Sequence, residues 1–419
     1  MWIVFVGVNS SFEHAFRAAH ELGFKVLFIT SEHDFPKTIP ADLTQTVQSF
    51  EFDIILSIIE ESLPRDQTLV FWALKEALLP LVRKLNLHFK SPARFYSENT
   101  MVTCKNKLRL RNLLAHTPYN PQFEIYTEGC QYQAHVQSNK KIIKPLHGRL
   151  SIGVELVSSE EDFLPAISRS LSVLERLSSD TKFYSQLSEG HDLKRTLLIE
   201  EFIEGAEFSV EIFANEKGIK CMGICEKTKM KPPYFEEISY CSPPRIEKEL
   251  SAKLASAAIE IASIIGLESG MAHFEFKYDG KRIILLDIGL RLGGGGLVHG
   301  LISTSTGVDL IKAVLAELCG LDSELYLMKT RNDTALLYLL QIGDGGIVQM
   351  VTQPTKMNSV ALVDMYVFVK KGDYLSGYPN YSNLPGYALF QISGRNEMSF
   401  TAVDNAIEHL MKNWNIQYQ

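Results

Sequence analysis

Residues 285–296 read LLDIGLRLGGGG: an aliphatic run ends in one carboxylate, Asp287, an arginine follows at 291, and four glycines run from 293 to 296. The fuller run KRIILLDIG is β-branched and aliphatic and is entered through Asp279 and Gly280, the dipeptide of a tight hairpin turn. Its partner is HFEFKY at 273–278, where Phe274 and Phe276 alternate with His273, Glu275 and Lys277 in the two-residue period of a strand. A hairpin of these strands sets Glu275 beside Asp287. Two carboxylates that close repel unless a cation lies between them. A hard divalent ion such as Mg²⁺ takes oxygen ligands of this kind, with phosphate supplying the rest. Arg291 and the glycine amides suit an anionic group next to that ion. The stretch predicts a metal and phosphate site, and it calls for a nucleotide-binding partner elsewhere in the chain.

The chain has 419 residues, more than one ordinary core accommodates, so two or three domains are expected. Hydrophobic residues make up 46% and charged residues 22%, the balance of a globular protein and not of a disordered one. A formal net charge of -7 with scattered Lys and Arg argues against a nucleic-acid surface. No apolar stretch approaches the length of a membrane span, and the first residues, MWIVFVGVNSS, lack the basic start and small-residue cleavage site of a signal peptide. Six dispersed cysteines without metal-site spacing fit a reducing cytoplasm. The pair in CMGIC reads as packing on a strand.

Near the start, WIVFVGV, KVLFIT and DIILSII read as strands and SFEHAFRAAHELG as an amphipathic helix, an order that predicts a parallel sheet with crossover helices. The turn GVNSS lacks the later glycines of a dinucleotide loop, so no cofactor is expected there. CKNKLRLRNLLAH reads as one basic helix. The segment 247–266 and VDLIKAVLAELCG read as core helices. The last hundred residues read as a turn-rich α+β unit ending in a helix from about Ser399.

Two further elements carry chemistry. In IIKPLHGRLSIGV a strand delivers Lys144 to a loop with Gly148, Ser151 and Gly153, where bare backbone allows N–H groups close to phosphate oxygens and the lysine supplies a point charge. An ordinary hairpin has the same pattern, and the Walker ending is absent. In LLIEEFIEGAEFSVE a strand ends in Glu200 and Glu201, continues through Phe202 and Ile203, and turns at Gly205 to Glu207. That order suits an adenine edge between apolar walls with an acid for the ribose, or else an acidic surface hairpin.

In this order, a lysine on a basic helix, KPLHGRLSIGV, EEFIEGAEFSVE and HFEF...LLDIGLR with its glycines resemble the ATP-grasp superfamily, and within it the carboxylate–amine ligases, including L-amino acid ligases. The resemblance implies an α/β and α+β multidomain protein: a Rossmann-like pre-ATP-grasp domain over 1–100, a two-part ATP-grasp domain over 101–320, and a small C-terminal α+β domain over 321–419. It implies that Lys107, in preference to Lys105, and Lys144 hold the ATP phosphates under a lid containing Gly148, Ser151 and Gly153. Glu200, Glu201, Phe202 and Ile203 would border the adenine and Glu207 the ribose. Glu275 and Asp287 would bind Mg²⁺, with Mn²⁺ as a substitute. Arg291, with Gly294 and Gly295, would stabilise the phosphorylated intermediate.

The chain departs from the family's usual ending, Glu then Asn then Arg, in having Asp287, Gly289 and Arg291. Gly289 offers no side-chain oxygen to a second ion. The segment CEKTKMKPPYFEEISYCSPPRI offers Tyr234, Glu237 and Arg245, with His273 nearby on the metal hairpin, as contacts for small-molecule carboxylate and amine substrates, or is a surface crossover. The implied reaction joins an acid to an amine through an acyl phosphate. Its rivals are another ATP-grasp reaction, with a thiol acceptor or phosphoryl transfer, and a silent ATP-binding module. The apolar helix faces of the first domain permit a homodimer.

Overall fold

The computed structural model describes residues 1–7, 12–31, 41–73, 75–129, 136, 138–148, 152–177, 190–231, 236–354, 357, 360–377 and 384–419. Four parallel strands come first: β1 (Trp2–Val6), β2 (Lys25–Thr30), β3 (Leu43–Thr46) and β4 (Leu69–Ala73), in the order β3-β2-β1-β4. Every residue of β1 is buried, as expected of a strand flanked on both edges and covered on both faces by helices. Those helices are α1 (Phe12–Glu21), α2 (Phe52–Ser62) and α3 (Leu79–His88). Because β2 and β4 lie on opposite sides of β1, the strand order reverses at β1, and the crevice for a ligand opens beyond the carboxyl ends of β1 and β4.

Two short helices, α4 (Glu98–Lys105) and α5 (Lys107–Leu113), lead to an antiparallel sheet of β5 (Phe123–Thr127), β6 (Lys141–Pro145), β7 (Glu155–Val157) and β8 (Thr196–Glu201), packed on α6 (Glu160–Leu177). A larger sheet then begins with β9 (Ala206–Asn215), β10 (Gly218–Lys231) and β11 (Glu236–Ser242) and, after α7 (Lys248–Ile264), takes in the hairpin β12 (Gly270–Tyr278) and β13 (Ile283–Gly289). Next come α8 (Val298–Thr306), α9 (Leu310–Leu318), β14 (Thr334–Leu339), β15 (Gly345–Val351), β16 (Ala361–Val367), β17 (Tyr374–Ser376), β18 (Gly386–Ile392), α10 (Glu397–Asn413) and β19 (Ile416–Tyr418). The large sheet has the order β13-β12-β9-β10-β11-β14-β18-β16, so strands after residue 321 extend it through the β11–β14 pairing.

Strand alternation gives this sheet two different faces. Phe208, Val210, Ile212, Phe274 and Phe276 pack with Leu254, Ala258 and Ile261 of α7 in one core. Phe213, Cys225 and Met271 face the other way, against Val298, Leu301, Ile311 and Leu315 of α8 and α9. On that second face β9 and β12 also carry Glu207, Glu211, His273 and Glu275, and the packing of apolar residues around them holds these charges in a fixed array.

Two elements differ from the sequence reading. DIILSII is the middle of helix α2: Ile55 and Ile59, four residues apart, are its buried pair, and a short aliphatic run fits either period until its length of 11 residues is seen. The basic helix is two helices, broken at Asn106, whose extended backbone (φ -96°, ψ 104°) and side chain cap the second by accepting from Arg109 N at 3.1 Å. That break turns Lys107 toward the large sheet, and Lys107 N–H donates to Leu146 O at 2.8 Å.

Candidate functional site

The hairpin is formed as its sequence predicts, with Glu275 opposite Asp287 and His273 opposite Gly289. Asp287 Oδ2 accepts from Lys107 Nζ at 2.8 Å, while Oδ1 is buried with no partner among the described residues. Glu275 Oε1 lies 3.1 Å from Lys227 Nζ and 3.3 Å from His273 Nε2. Lys227 also pairs with Glu207 at 2.6 Å and Glu237 at 2.7 Å. Burial pushes the Lys227 ammonium down, but the three carboxylates outweigh it and raise its pKa well above the ordinary lysine range. Burial pushes the Glu207 carboxyl up, against the pull of Lys227.

Around this array stand five carboxyl groups, Glu207, Glu211, Glu237, Glu275 and Asp287, and five cationic groups, Lys107, Lys227, Lys277, Arg291 and the His273 imidazole. The unpartnered Asp287 Oδ1, set across the hairpin from Glu275, fits a divalent ion. No group of three or more His, Cys, Asp or Glu among the described residues forms a complete cage. An ion held by Glu275 and Asp287 therefore takes its remaining oxygens from outside the protein side chains, as Mg²⁺ with a nucleotide does.

His273 is not placed to touch a substrate. It is 2% exposed, Nδ1 is bound to Glu211 and Nε2 to Glu275. Burial pushes its pKa down, yet the two carboxylates raise it to about 9, so it stands as an internal cation behind Glu275. Gly293 lies directly on this pair: a Cβ there would sit 2.1 Å from His273 Nδ1. Here the absence of a side chain is a packing requirement. Gly294 and Gly295 adopt positive φ (56° and 65°), and their N–H groups donate to nothing among the described residues.

Arg291 borders the site; burial pushes its pKa down, but the charges of Glu76, Glu275, Asp287 and Glu211 close by raise it. Its Nε lies 3.3 Å from Glu76 Oε2, and Glu76 also takes Lys105 Nζ at 2.5 Å and Leu290 N–H at 2.8 Å. Burial raises the Glu76 carboxyl, but Lys105 and Arg291 bring its pKa down to about 2. Glu76 follows β4, at the crevice of the first sheet, so that sheet contributes directly to the site. Lys105 thus belongs to Glu76 and Lys107 to Asp287. A cavity of about 30 Å³ behind Arg291, bordered by Trp72, Phe95, Tyr96 and Met271, has room for a water and not for a substrate side chain.

Glu200 and Lys144 form a second, deeper cluster. Lys144 Nζ is 2.8 Å from Glu200 Oε2, and Arg111 Nε is 2.6 Å from Oε1 while its Nη2 donates to Leu286 O at 2.8 Å. Burial lowers the Lys144 pKa to about 8 even with Glu200 beside it. The Glu200 side chain therefore faces these cations. Glu201 turns outward and pairs with Arg282 at 3.0 Å. Phe202 N–H is taken by Lys140 O at 3.0 Å, and Ile203 is buried. Gly205 packs on the hairpin so tightly that a Cβ would meet Tyr278 O at 2.1 Å. In the glycine loop, Gly153 (φ 75°) is anchored by Ser170 Oγ donating to its carbonyl at 3.0 Å, whereas Gly148 is exposed with no atom nearer than 3.9 Å to a Cβ position. Ser151 and Tyr234, like the turn at 8–11, lie outside the described residues.

Arg245 is not brought to this array. It forks onto Glu226 (2.9 Å from Nη2, 3.1 Å from Nε) and reaches Asp404 of α10 at 2.6 Å. Glu226 and Lys227 are consecutive on β10 and point to opposite faces of the sheet, which puts Arg245 on the far side. Sequence reading missed Glu76, Arg111, Glu211 and Lys227. Arg111 could have been found, four residues after Lys107 on one helix face. Glu76, 214 residues from its partner Leu290, left no local signal.

Comparison with known proteins agrees with this geometry. Residues 138–298 match the family model described as ATP-grasp domain. The chain contains an ATP-grasp domain. The match runs from just before β6 to the start of α8, so Lys144, Glu200, Lys227, Glu275, Asp287 and Arg291 all fall within that ATP-grasp region. Carnosine synthase 1 of Mus musculus is 23% identical over 340 residues, covering 76% of this chain and 39% of that protein. This chain thus spans less than half the length of that relative. Among solved structures, the L-amino acid ligase from Bacillus licheniformis superposes with a TM-score of 0.81 at 22% identity, over 100% of this chain and 98% of that one. The biotin carboxylase domain of Hydrogenobacter thermophilus 2-oxoglutarate carboxylase, in complex with MgADP and bicarbonate, gives 0.68 at 13% identity, over 99% and 90%. These likenesses show that the chain shares the fold of those structures over its whole length.

Proposed function

We propose that this protein is an ATP-dependent carboxylate–amine ligase acting on amino acid-like substrates. The observation that carries the reading is the in-register pair Glu275 and Asp287, with Lys107 on one Asp287 oxygen and the other left open, inside an ATP-grasp domain. The names of its relatives, a carnosine synthase and an L-amino acid ligase, support a ligase and amino acid-like substrates.

Lys107 and Lys144 take the ATP phosphates, and the loop with Gly148, Ser151 and Gly153 closes over them. The chain from Glu201 to Ile203 borders the adenine, with Glu200 acting on Lys144 from behind, and Glu207 stands toward the ribose. Glu275 and Asp287 hold Mg²⁺, or Mn²⁺ in its place, consistent with the MgADP found on the Hydrogenobacter relative's fold. Such an ion, when bound, neutralises phosphate charge as it accumulates in transfer.

A carboxylate oxygen of the acid attacks the γ-phosphorus, the bond to ADP breaks, and an acyl phosphate forms. The repulsion between the two anions is offset by Lys107, Lys144 and Arg291. The amine then adds to the acyl carbon, the tetrahedral oxyanion is stabilised by Arg291 and by the free N–H groups of Gly294 and Gly295, and phosphate departs as the amine loses a proton. Glu237, paired to Lys227 and 32% exposed, is the carboxylate placed to meet an ammonium group of a substrate. In this reading the pre-ATP-grasp domain spans 1–100, the ATP-grasp domain 101–320 and the C-terminal domain 321–419.

A heavy-oxygen-labelled carboxylate substrate tests the route. Transfer of one labelled oxygen to the released phosphate supports an acyl phosphate; product formed with unlabelled phosphate contradicts it.

A further inference from the structure

A run of four glycines has no side chains with which to hold its own shape, and Gly294, Gly295 and Gly296 all have positive φ (56°, 65° and 99°). The backbone closes part of the turn: Gly296 and Val298 N–H donate to Gly293 O at 2.9 and 3.2 Å, and Leu297 N–H to Gly294 O at 3.2 Å. Gly296 O gains no such helical partner, because Gly300 N–H turns instead to Leu297 O at 3.0 Å. An imidazole takes its place: His299 Nδ1 donates to Gly296 O.

His299 is 7% exposed at the start of α8. Burial, together with the nearby His14, pushes its pKa down to about 3, so the ring is neutral and its one proton sits on Nδ1. His14 of α1 packs edge-on against it, with ring centroids 5.2 Å apart. His14 Nε2 in turn lies 3.3 Å from Asp364 Oδ2 on β16, and the same carboxylate accepts from Tyr387 Oη on β18 at 2.7 Å. The imidazole behind the glycine turn is thus backed by three separate elements, none of which reaches the substrates in the mechanism above.

We propose that His299 is a positioning residue for the glycine turn: it holds Gly296 O so that the Gly294 and Gly295 N–H groups keep one orientation, and His14, Asp364 and Tyr387 brace it. Its catalytic consequence rests on the ligase reading; its effect on the turn does not.

The test compares hydrogen exchange of the peptide covering 293–299 in the full wild-type chain, His299→Leu and His299→Asn, measured without substrates. Asn keeps an N–H donor where Nδ1 stands, and Leu fills the space with none. Exchange in the Leu variant should rise about tenfold, the loss of one backbone-directed hydrogen bond, and that of the Asn variant should stay within about threefold of wild type. In the ligase assay kcat should fall in step while KM for ATP holds, and Asn should restore it. Exchange unchanged in His299→Leu, or equally raised in both variants, overturns the proposal. Should the Leu variant fail to fold, His14→Ala removes the brace from the outside and should raise exchange in the same peptide alone. A wild-type chain that releases no ADP counts against the ligase reading, and the exchange data still decide for or against His299.

Discussion

Lys107 Nζ lies 2.8 Å from Asp287 Oδ2, and the second oxygen of Asp287 is buried without a partner among the described residues. One carboxylate therefore meets a fixed cation and, in the proposed function, the metal ion. Asp287→Asn and Glu275→Gln should each weaken Mn²⁺ binding, followed by its electron spin resonance signal in the presence of ADP, by at least about 10–100-fold, with ADP release falling in parallel. Unchanged affinity in both variants would remove the metal from this hairpin.

The two lysines flanking Asn106 are assigned different work by their partners. Lys107→Ala should raise KM for ATP and lower kcat, because it removes the cation at Asp287. Lys105→Ala should leave KM for ATP near wild type and act on the Glu76–Arg291 pair, seen as a lower melting temperature and a higher KM for the acid. Steady-state kinetics with ATP and the acid varied in turn separate the two.

Glu76 makes part of the stability pH-dependent. Its pKa, about 2 in the folded chain against an ordinary 4.5, means that between these values the unfolded chain holds the proton and the folded chain does not. Its contribution is complete above pH 4.5 and is lost as pH falls toward 2, on the order of 3 kcal/mol in all. Glu76→Gln should flatten the fall of melting temperature between pH 5 and about 3. A wild-type slope in that variant would contradict the pairing.

Much of this was legible because the informative residues are close in sequence. The Asp279-Gly280 turn marked the hairpin, but the register it sets would put Glu275 opposite Leu286; an irregularity at Leu286, which no residue type announced, brings Asp287 across from Glu275. The four glycines stood out as bare backbone, but nothing in them said that Gly293 is required by His273 and Glu211 lying against it. What escaped was set by the sheet, not the segment. His273 alternates with Phe274 as a strand residue should, and nothing in HFEF says that Glu211, on the neighbouring strand, already occupies it. DIILSII is short enough to satisfy both periods, and only its packing on Ile55 and Ile59 makes it a helix. Glu76 reaches Arg291 across the fold, a contact that depends on how the first sheet docks and is written in no stretch of the chain.

Arg245 ties β10 to α10 through Glu226 and Asp404, away from the carboxylate array. Arg245→Ala should lower the melting temperature by about 2–4 °C and leave kcat and both KM values unchanged. A large rise in KM for the acid would return Arg245 to the substrate site.

In the proposed function ATP drives the joining of an acid to an amine. Phosphate release should be measured with ATP and Mg²⁺ across amino acids taken in pairs, with mass spectrometry of every positive pair and Arg291→Ala alongside. Release should need both partners, the product mass should be their sum less water, and both should be lost in the variant. ATP turnover that proceeds with either partner alone, or that yields no condensed product, would contradict that function.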